Sequence, residues 1–411
     1  MIFFYNISIR LVSFILTCLS PFNEKIKKGV KGRKHVFKTL EQNLKETDKT
    51  LWFHCASLGE FEQGLPVFSK LRAHYSLHKI VLTFFSPSGY DIRKDTSIAD
   101  VVVYLPIDTK KNVKRFLSLI KPELTVFVKY DIWPNYLREI KHNKLRAILI
   151  SAAFRKNQIY FKTLGKPLRE ALFAFEHIFT QNEISKQLLE SIGYFNVSVS
   201  GDTRFDRVSN QLEQDNTLSF IEDFKNKQLC IVIGSSWPED ENLLIEYINT
   251  EAPKNIKFII APHAIKASHI KSIQEKLSVP YLLYSKKDNT NLAKSQVFIV
   301  DTIGILTKIY HYADIAYVGG AMGNTGLHNT LEPAVFGVPI VIGKNHQKFP
   351  EAKALIDNGG MFSISNQKQL NQILNQLINQ NEKRLKSGQA NYNFIKKNKG
   401  AVIQILDYLR I

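Results

Sequence analysis

From residue 50 onward, short runs of β-branched and aromatic residues alternate with polar or amphipathic stretches of helical length. That alternation constrains the fold more than any other feature, because two strands that pair in parallel need a long crossover between them, usually a helix. Seven runs come first, at residues 50–54, 79–85, 100–105, 124–129, 145–151, 178–180 and 197–200. A polar interval at 209–227 precedes six more, at 229–234, 257–261, 281–284, 297–300, 315–319 and 339–342. The pattern predicts an α/β chain of two doubly wound, Rossmann-like domains, 41–208 and 209–411, with the helical C-terminal stretch covering the second sheet. Open parallel sheets bind ligands at the carboxyl ends of their strands, so the pair implies a cleft between the domains.

The first 40 residues differ in kind. Residues 1–22 are strongly apolar, yet Asn6, Arg10, Ser13, Thr17 and Ser20 recur at spacings of four and three and trace one polar stripe on a helix. A full crossing needs about 20 apolar residues, and Arg10 interrupts the run, so a helix lying in a membrane interface is the expected form. No basic n-region or small-x-small cleavage site marks a secretory signal. Lys25, Lys27, Lys28, Lys31, Arg33, Lys34 and Lys38 then stand against Glu24 alone, the pattern of a juxtamembrane basic cluster on the cytoplasmic side.

Composition agrees with an anionic partner. Fifty-five Lys and Arg against 37 Asp and Glu leave a net charge of +18, which suits nucleic acid, an acidic membrane surface or a phosphorylated substrate. A nucleic-acid binder would spread that charge among stacking aromatics, whereas the clearest basic run here adjoins an apolar anchor, so no nucleic acid is expected. Cys18, Cys55 and Cys230 form no CxxC pair, and neither a disulfide framework nor a zinc site is indicated.

Chemistry-bearing residues fall where strands end. Ser57, Leu58, Gly59 and Glu60 follow the first run; a carboxylate there can act as general base, or simply offset the helix dipole. Lys129 and Asp131 end the fourth run ahead of Trp133 and Pro134, either orienting a substrate or forming a local ion pair. Arg204 lies between Asp202 and Asp206, where a guanidinium neutralises phosphate charge or pairs structurally. In the second series, Ser235 and Ser236 enter a helix, Pro262 and His263 cap a strand, and Gly319, Gly320, Gly323 and Gly326 precede His328, Asn329 and Glu332. Such a glycine turn at a helix entrance fits a nucleotide, although the spacing matches neither GxGxxG nor a P-loop. Asn329 and Glu332 also fit a capping box, and no HExxH or other dedicated metal motif occurs.

As an ordered set, HCASLGE, DIWPN, QNE, GDTRFD, GSSWPEDE, APH, DTIGIL and GGAMGNTGLHNTLEP, after the apolar and basic N-terminus, resemble the 3-deoxy-D-manno-octulosonic acid (Kdo) transferases. The resemblance implies a GT-B glycosyltransferase at the cytoplasmic face of the inner membrane. By the same resemblance it would move Kdo from CMP-Kdo onto a lipid A precursor, lipid IV-A, in lipopolysaccharide core biosynthesis, amid anionic lipids. Glu60 then matches the family's general base, and Arg204 stands where the family usually has Lys. Asp131 holds the acidic position of its motif, and Pro262, His263, Ile303, Gly304, Ile305, Asn329, Thr330, Leu331 and Glu332 would contact CMP. No metal or cofactor is expected, since departing CMP carries its own charge. Three residues depart from the family: Lys129 where many members have Glu, His263 for Arg, and Leu327 for the second Gly of GGHN. A GT-B enzyme or epimerase using another nucleotide sugar is the alternative, and a non-catalytic scaffold fits less well because Glu60 and Arg204 are kept.

Overall fold

In the computed structural model, which describes residues 2–288 and 290–411, the chain forms two units. The first runs to Arg207 and takes up Lys399–Ile411 as well; the second is Val208–Asn398. Each is built on one seven-stranded parallel sheet.

The first sheet consists of β1 (Thr50–Cys55), β2 (Lys79–Phe84), β3 (Val101–Tyr104), β4 (Pro122–Val128), β5 (Ala147–Ala152), β6 (His177–Thr180) and β7 (Val197–Val199), in the order β3-β2-β1-β4-β5-β6-β7. All seven match runs expected from the sequence. Every residue of β1 is buried, because helices cover both faces of a parallel sheet and leave no polar side. On one face Trp52 packs edge-on against Phe116 and Phe127, at 5.0 and 5.2 Å between ring centroids. On the other, Phe53 stacks on Phe68 at 4.3 Å.

The second sheet consists of β8 (Cys230–Ser236), β9 (Lys257–Pro262), β10 (Tyr281–Leu283), β11 (Val297–Ile299), β12 (Ile315–Val318), β13 (Ile340–Gly343) and β14 (Met361–Ile364), ordered β10-β11-β9-β8-β12-β13-β14. The sequence pattern missed β14, a four-residue edge strand behind Gly359 and Gly360 with two half-buried positions. In both sheets the order reverses beside the first strand, between β1 and β4 and between β8 and β12. Ligands of open α/β sheets bind outside the carboxyl ends of strands at such switch points.

Two expectations are corrected. The C-terminal stretch does not stay wholly with the second sheet: after Gly400, at φ +114°, the helix Ala401–Leu409 belongs to the first unit. Its Val402, Ile405 and Leu409 pack with Phe61, Phe68 and Phe179, and Asp206 accepts from the amides of Gly400 and Ala401 at 2.9 and 3.1 Å. Val402, Ile405, Leu406 and Leu409 need an apolar face, and the first unit supplies it, while Ile403 stays exposed.

The other case is Arg33 in the N-terminal segment. That segment forms α1 (Ile2–Leu19) and α2 (Glu24–Asn43), and part of the polar stripe of α1 meets protein. Asn135 donates to Asn6 at 2.8 Å and Tyr5 donates to the buried Asp108 at 2.7 Å, so that edge of α1 is satisfied by protein. Phe3, Phe4, Ile7, Leu11, Val12 and Phe14 are exposed instead. At 18 residues with a mean hydropathy of 1.8, α1 is long and apolar enough to cross a membrane. Arg33 also leaves the expected basic cluster, donating to the carbonyls of Gly29, Phe85 and Leu105.

Candidate active site

In the first unit the switch point collects side chains from three segments. β1 feeds directly into α3 (Leu58–His74), with Ser57 as its extended N-cap and Glu60 in its first turn. Ser57 does not cap the helix; its hydroxyl donates to Glu60 Oε2 instead. From β4, Lys129 Nζ lies 3.9 Å from Glu60 Oε1. Lys129 itself adopts φ +70°, a left-handed conformation that is costly for a residue with a Cβ and is kept only where surrounding structure over-determines it. Its backbone N–H donates to Ile150 at 2.8 Å, continuing the β4–β5 ladder past the bend.

Asp131 is fixed from behind. Its Oδ2 lies 2.5 Å from His54 Nε2 and accepts from Trp133 Nε1 at 3.0 Å. His54 is fully buried in β1, and its Nδ1 lies 2.8 Å from Thr83 Oγ1, which already accepts from Trp52 Nε1. Asp131, as a carboxylate, only accepts, which places the imidazole proton on Nε2 and leaves Nδ1 to accept from the Thr83 hydroxyl, whose oxygen also lies 3.4 Å from the Phe53 carbonyl. This hydrogen-bonded run holds the turn from Lys129 to Trp133 beneath the strand ends.

Arg204 joins the same helix through an intermediary. Its Nε and Nη2 both lie 2.8 Å from Asp202 Oδ2, while Asp202 Oδ1 accepts from Arg204 N at 2.9 Å and from Gln63 Nε2 at 3.3 Å. Gln63 lies one turn beyond Glu60 on α3. Thr203 donates to the Gln63 carbonyl and meets Ser151 Oγ at 2.7 Å, so helix Thr203–Ser209 is tied to α3 and to the end of β5. Glu60, Asp131 and Arg204 thus converge on the elements around the β1–β4 reversal.

The second unit has its own switch-point assembly. Buried Asp240, in the first turn of helix Pro238–Thr250, accepts from Tyr317 OH and Gly320 N at 2.8 Å each and from Trp237 N at 3.0 Å. Burial raises its carboxyl pKa despite these bonds. The carboxylate clasps the turn after β8 to the turn after β12. Gly319 is required by this closeness, since a Cβ there would lie 2.4 Å from the Ser235 carbonyl oxygen, and Gly320, at φ +96°, by the fold-back of its own loop, where a Cβ would lie 2.1 Å from the Gly326 carbonyl oxygen. Here chain meets chain, which accounts for these two glycines without a phosphate.

Above that clasp three rings gather. Trp237 stacks on His263 with centroids 4.6 Å apart, and His263 faces His328 at 4.5 Å. Trp237 Nε1 donates to His328 Nε2 at 3.0 Å, so His328 carries its proton on Nδ1. Burial, with His263 adding to it, lowers the His328 pKa to about 4. Among the described residues no three His, Cys, Asp or Glu side chains group as metal ligands.

Residues 29–207 match the family model described as 3-Deoxy-D-manno-octulosonic-acid transferase (kdotransferase). The resemblance to the Kdo transferase family holds. A 3-deoxy-D-manno-octulosonic acid transferase of Haemophilus influenzae is 25% identical over 374 residues, 88% of this chain and 86% of that one. A bifunctional glycosyltransferase/methyltransferase of Fusobacterium nucleatum is 28% identical over 367 residues, 85% of this chain, and the match spans 56% of that longer protein. In fold, the chain is similar to the UDP-GlcNAc 2-epimerase of Neisseria meningitidis, with a TM-score of 0.62 at 16% identity, covering 88% of this chain and 99% of that one.

Against the Kdo transferase motifs, the remaining expected contacts divide into two sets. Ile303 is 78% exposed beside Gly304 and Ile305 in the turn after β11, and His263 is exposed at the end of β9. Pro262, Thr330 and Leu331 are buried, leaving backbone as what the last two offer a ligand. Asn329 donates to Glu332 at 3.0 Å and accepts from Leu331 N at 3.2 Å, a local side-chain turn rather than the capping box read from the sequence, since the N-cap is Thr330 and its side chain makes no cap bond. Sequence reasoning passed over His54, Asp240 and Tyr317. The available signals were a histidine inside the wholly apolar run WFHC and an acid at the third helical position after Trp237-Pro238.

Proposed function

We propose that the chain is an inverting glycosyltransferase that moves Kdo from CMP-Kdo onto the lipid A precursor lipid IV-A. The observation that carries this reading is that the span matching the family model, 29–207, encloses Glu60, Asp131 and Arg204, the residues gathered around one sheet reversal. Glu60 takes the proton of the acceptor hydroxyl. The oxygen then attacks the anomeric carbon as the bond to the CMP phosphate breaks, and CMP leaves with the bonding pair. A single displacement inverts the anomeric centre. Arg204, with its fork set by Asp202, offsets charge developing on the phosphate. In the second unit His263, the 303–305 turn and the 329–332 turn serve the CMP moiety, with Trp237 and His328 as the stacking wall beside His263.

The exposed apolar face of α1 and the lysines of α2 support placement at an anionic membrane surface, the cytoplasmic face of the inner membrane in this reading. The test is mass spectrometry of acceptor incubated with CMP-Kdo and detergent-solubilised enzyme, run beside Glu60→Gln and Glu60→Ala. A Kdo mass increment that both variants lose supports donor, acceptor and base together. Folded wild-type enzyme that adds no Kdo, but binds or converts another nucleotide sugar, would replace this reading with the other GT-B or epimerase activity.

A further inference from the structure

The lysine at the end of β4 carries an inference that rests on the Kdo reading and goes beyond it. We propose that Lys129 is this chain's contact for the donor's carboxylate, a specificity-determining cation that selects an ulosonic acid over a neutral sugar.

A 2-ulosonic acid bears its carboxylate directly on the anomeric carbon. The attacking oxygen must come within about 3–3.5 Å of that carbon and within roughly 2.6–3.2 Å of the base that deprotonates it. A cation close to the base is therefore close to the donor carboxylate. Lys129 Nζ lies 3.9 Å from Glu60 Oε1, beyond hydrogen-bonding distance, and the lysine side chain is 32% exposed, so its ammonium retains donors for an incoming oxygen.

Charge strengthens the case. Glu60, the donor carboxylate and the donor phosphate are three anionic groups that meet at one reaction centre. Arg204 is committed on two nitrogens to Asp202, whereas Lys129 stands on the Glu60 side. Its aim is built in as well: the φ +70° backbone, the Ile150 hydrogen bond and the His54–Asp131–Trp133 network hold the bend that carries it.

Steady-state kinetics of the full-length enzyme with CMP-Kdo test this, using Lys129→Met and Lys129→Gln to remove the cation and Lys129→Arg to retain it. Thermal unfolding shows which variants are folded. The expected result is a roughly 10- to 100-fold loss of kcat/KM for CMP-Kdo on removal, the size of one charge-assisted hydrogen bond. Lys129→Arg recovers most of it, while the KM for acceptor and inhibition by CMP, which has no sugar carboxylate, stay at wild-type values. Folded removal variants within twofold of wild type would overturn the proposal, as would a loss confined to acceptor KM or shared equally by CMP inhibition. Wild-type enzyme that transfers no Kdo at all removes the underlying reading, and this one with it.

Discussion

Replacing Asp131 by alanine separates a carboxylate that touches the reacting atoms from one that holds the site in shape. In the native network Asp131 Oδ2 is the partner of His54 Nε2 and of Trp133 Nε1. Removing it strips an acceptor from two N–H groups, one on a fully buried ring. The loss is partly recoverable, because Trp133 Nε1 also lies 3.1 Å from His54 Nε2. If the imidazole proton moves to Nδ1 and is donated to Thr83, Nε2 accepts from Trp133 and one bond is regained. The net cost is then about one hydrogen bond to a charged acceptor, about 2 kcal/mol, which for a unit of this size lowers Tm by roughly 4–8 °C. Asp131→Asn keeps an acceptor oxygen and should cost about half as much. Activity should fall roughly 10-fold, through displacement of the Lys129–Trp133 turn, and should fall less in Asp131→Asn. Paired thermal unfolding and transfer kinetics decide the matter. An Asp131→Ala enzyme with wild-type Tm that is as inactive as Glu60→Gln would refute a positioning role and place this carboxylate on the substrate.

Three further outcomes follow from the two units. Asp240→Ala leaves Tyr317 OH and the amides of Trp237 and Gly320 without their acceptor, so it should cost about 3–5 kcal/mol in urea unfolding; adding Tyr317→Phe should recover part of that loss, and a strictly additive double mutant would contradict the clasp. Burial raises the Asp108 carboxyl to about 6, above its unfolded value, so the native state holds the proton more tightly and stability from this group falls as pH rises from about 4 to 6. The stability of wild type relative to Asp108→Asn should therefore decline over that window by up to about 3 kcal/mol, and a flat difference would remove the assignment. Gly320→Ala combines a left-handed φ with a Cβ 2.1 Å from the Gly326 carbonyl oxygen, so it should cost roughly 2–4 kcal/mol and weaken CMP binding in calorimetry, whereas unaltered stability and binding would show that the loop after β12 is not closely folded on itself.

Legibility followed physical cause. Thirteen of the strands could be read because parallel strands are continuous apolar runs, a local property of six or so residues. β14 could not, since a short edge strand after two glycines resembles a loop. Glu60, Asp131 and Arg204 stood out as charges at strand ends, and Glu60 in particular has no apolar function to hide behind. His54 did not, because a single polar residue in a buried strand acquires meaning only from what lies across the sheet, in this case Asp131, 77 positions later. The glycines after β12 suggested a phosphate cradle, yet Gly319 is explained by contact with the turn after β8, a neighbour that no local pattern identifies, and Gly320 by its own loop folding back on Gly326.

By itself, the sequence determined two parallel α/β units, an apolar helix at the N-terminus, and the identity of the ionisable groups at the strand ends, since each of these is encoded within a few turns or a single strand. Only the tertiary structure decided the strand order. That order puts β1 beside β4 and β8 beside β12, sets Lys129 against Glu60 and clasps the turn after β8 to the glycine turn after β12 with Asp240; packing also sends the last helix back to the first unit. Those are pairings between segments far apart in the chain, chosen by which apolar faces fit and which buried polar groups find partners, and neither is written in any local stretch of residues.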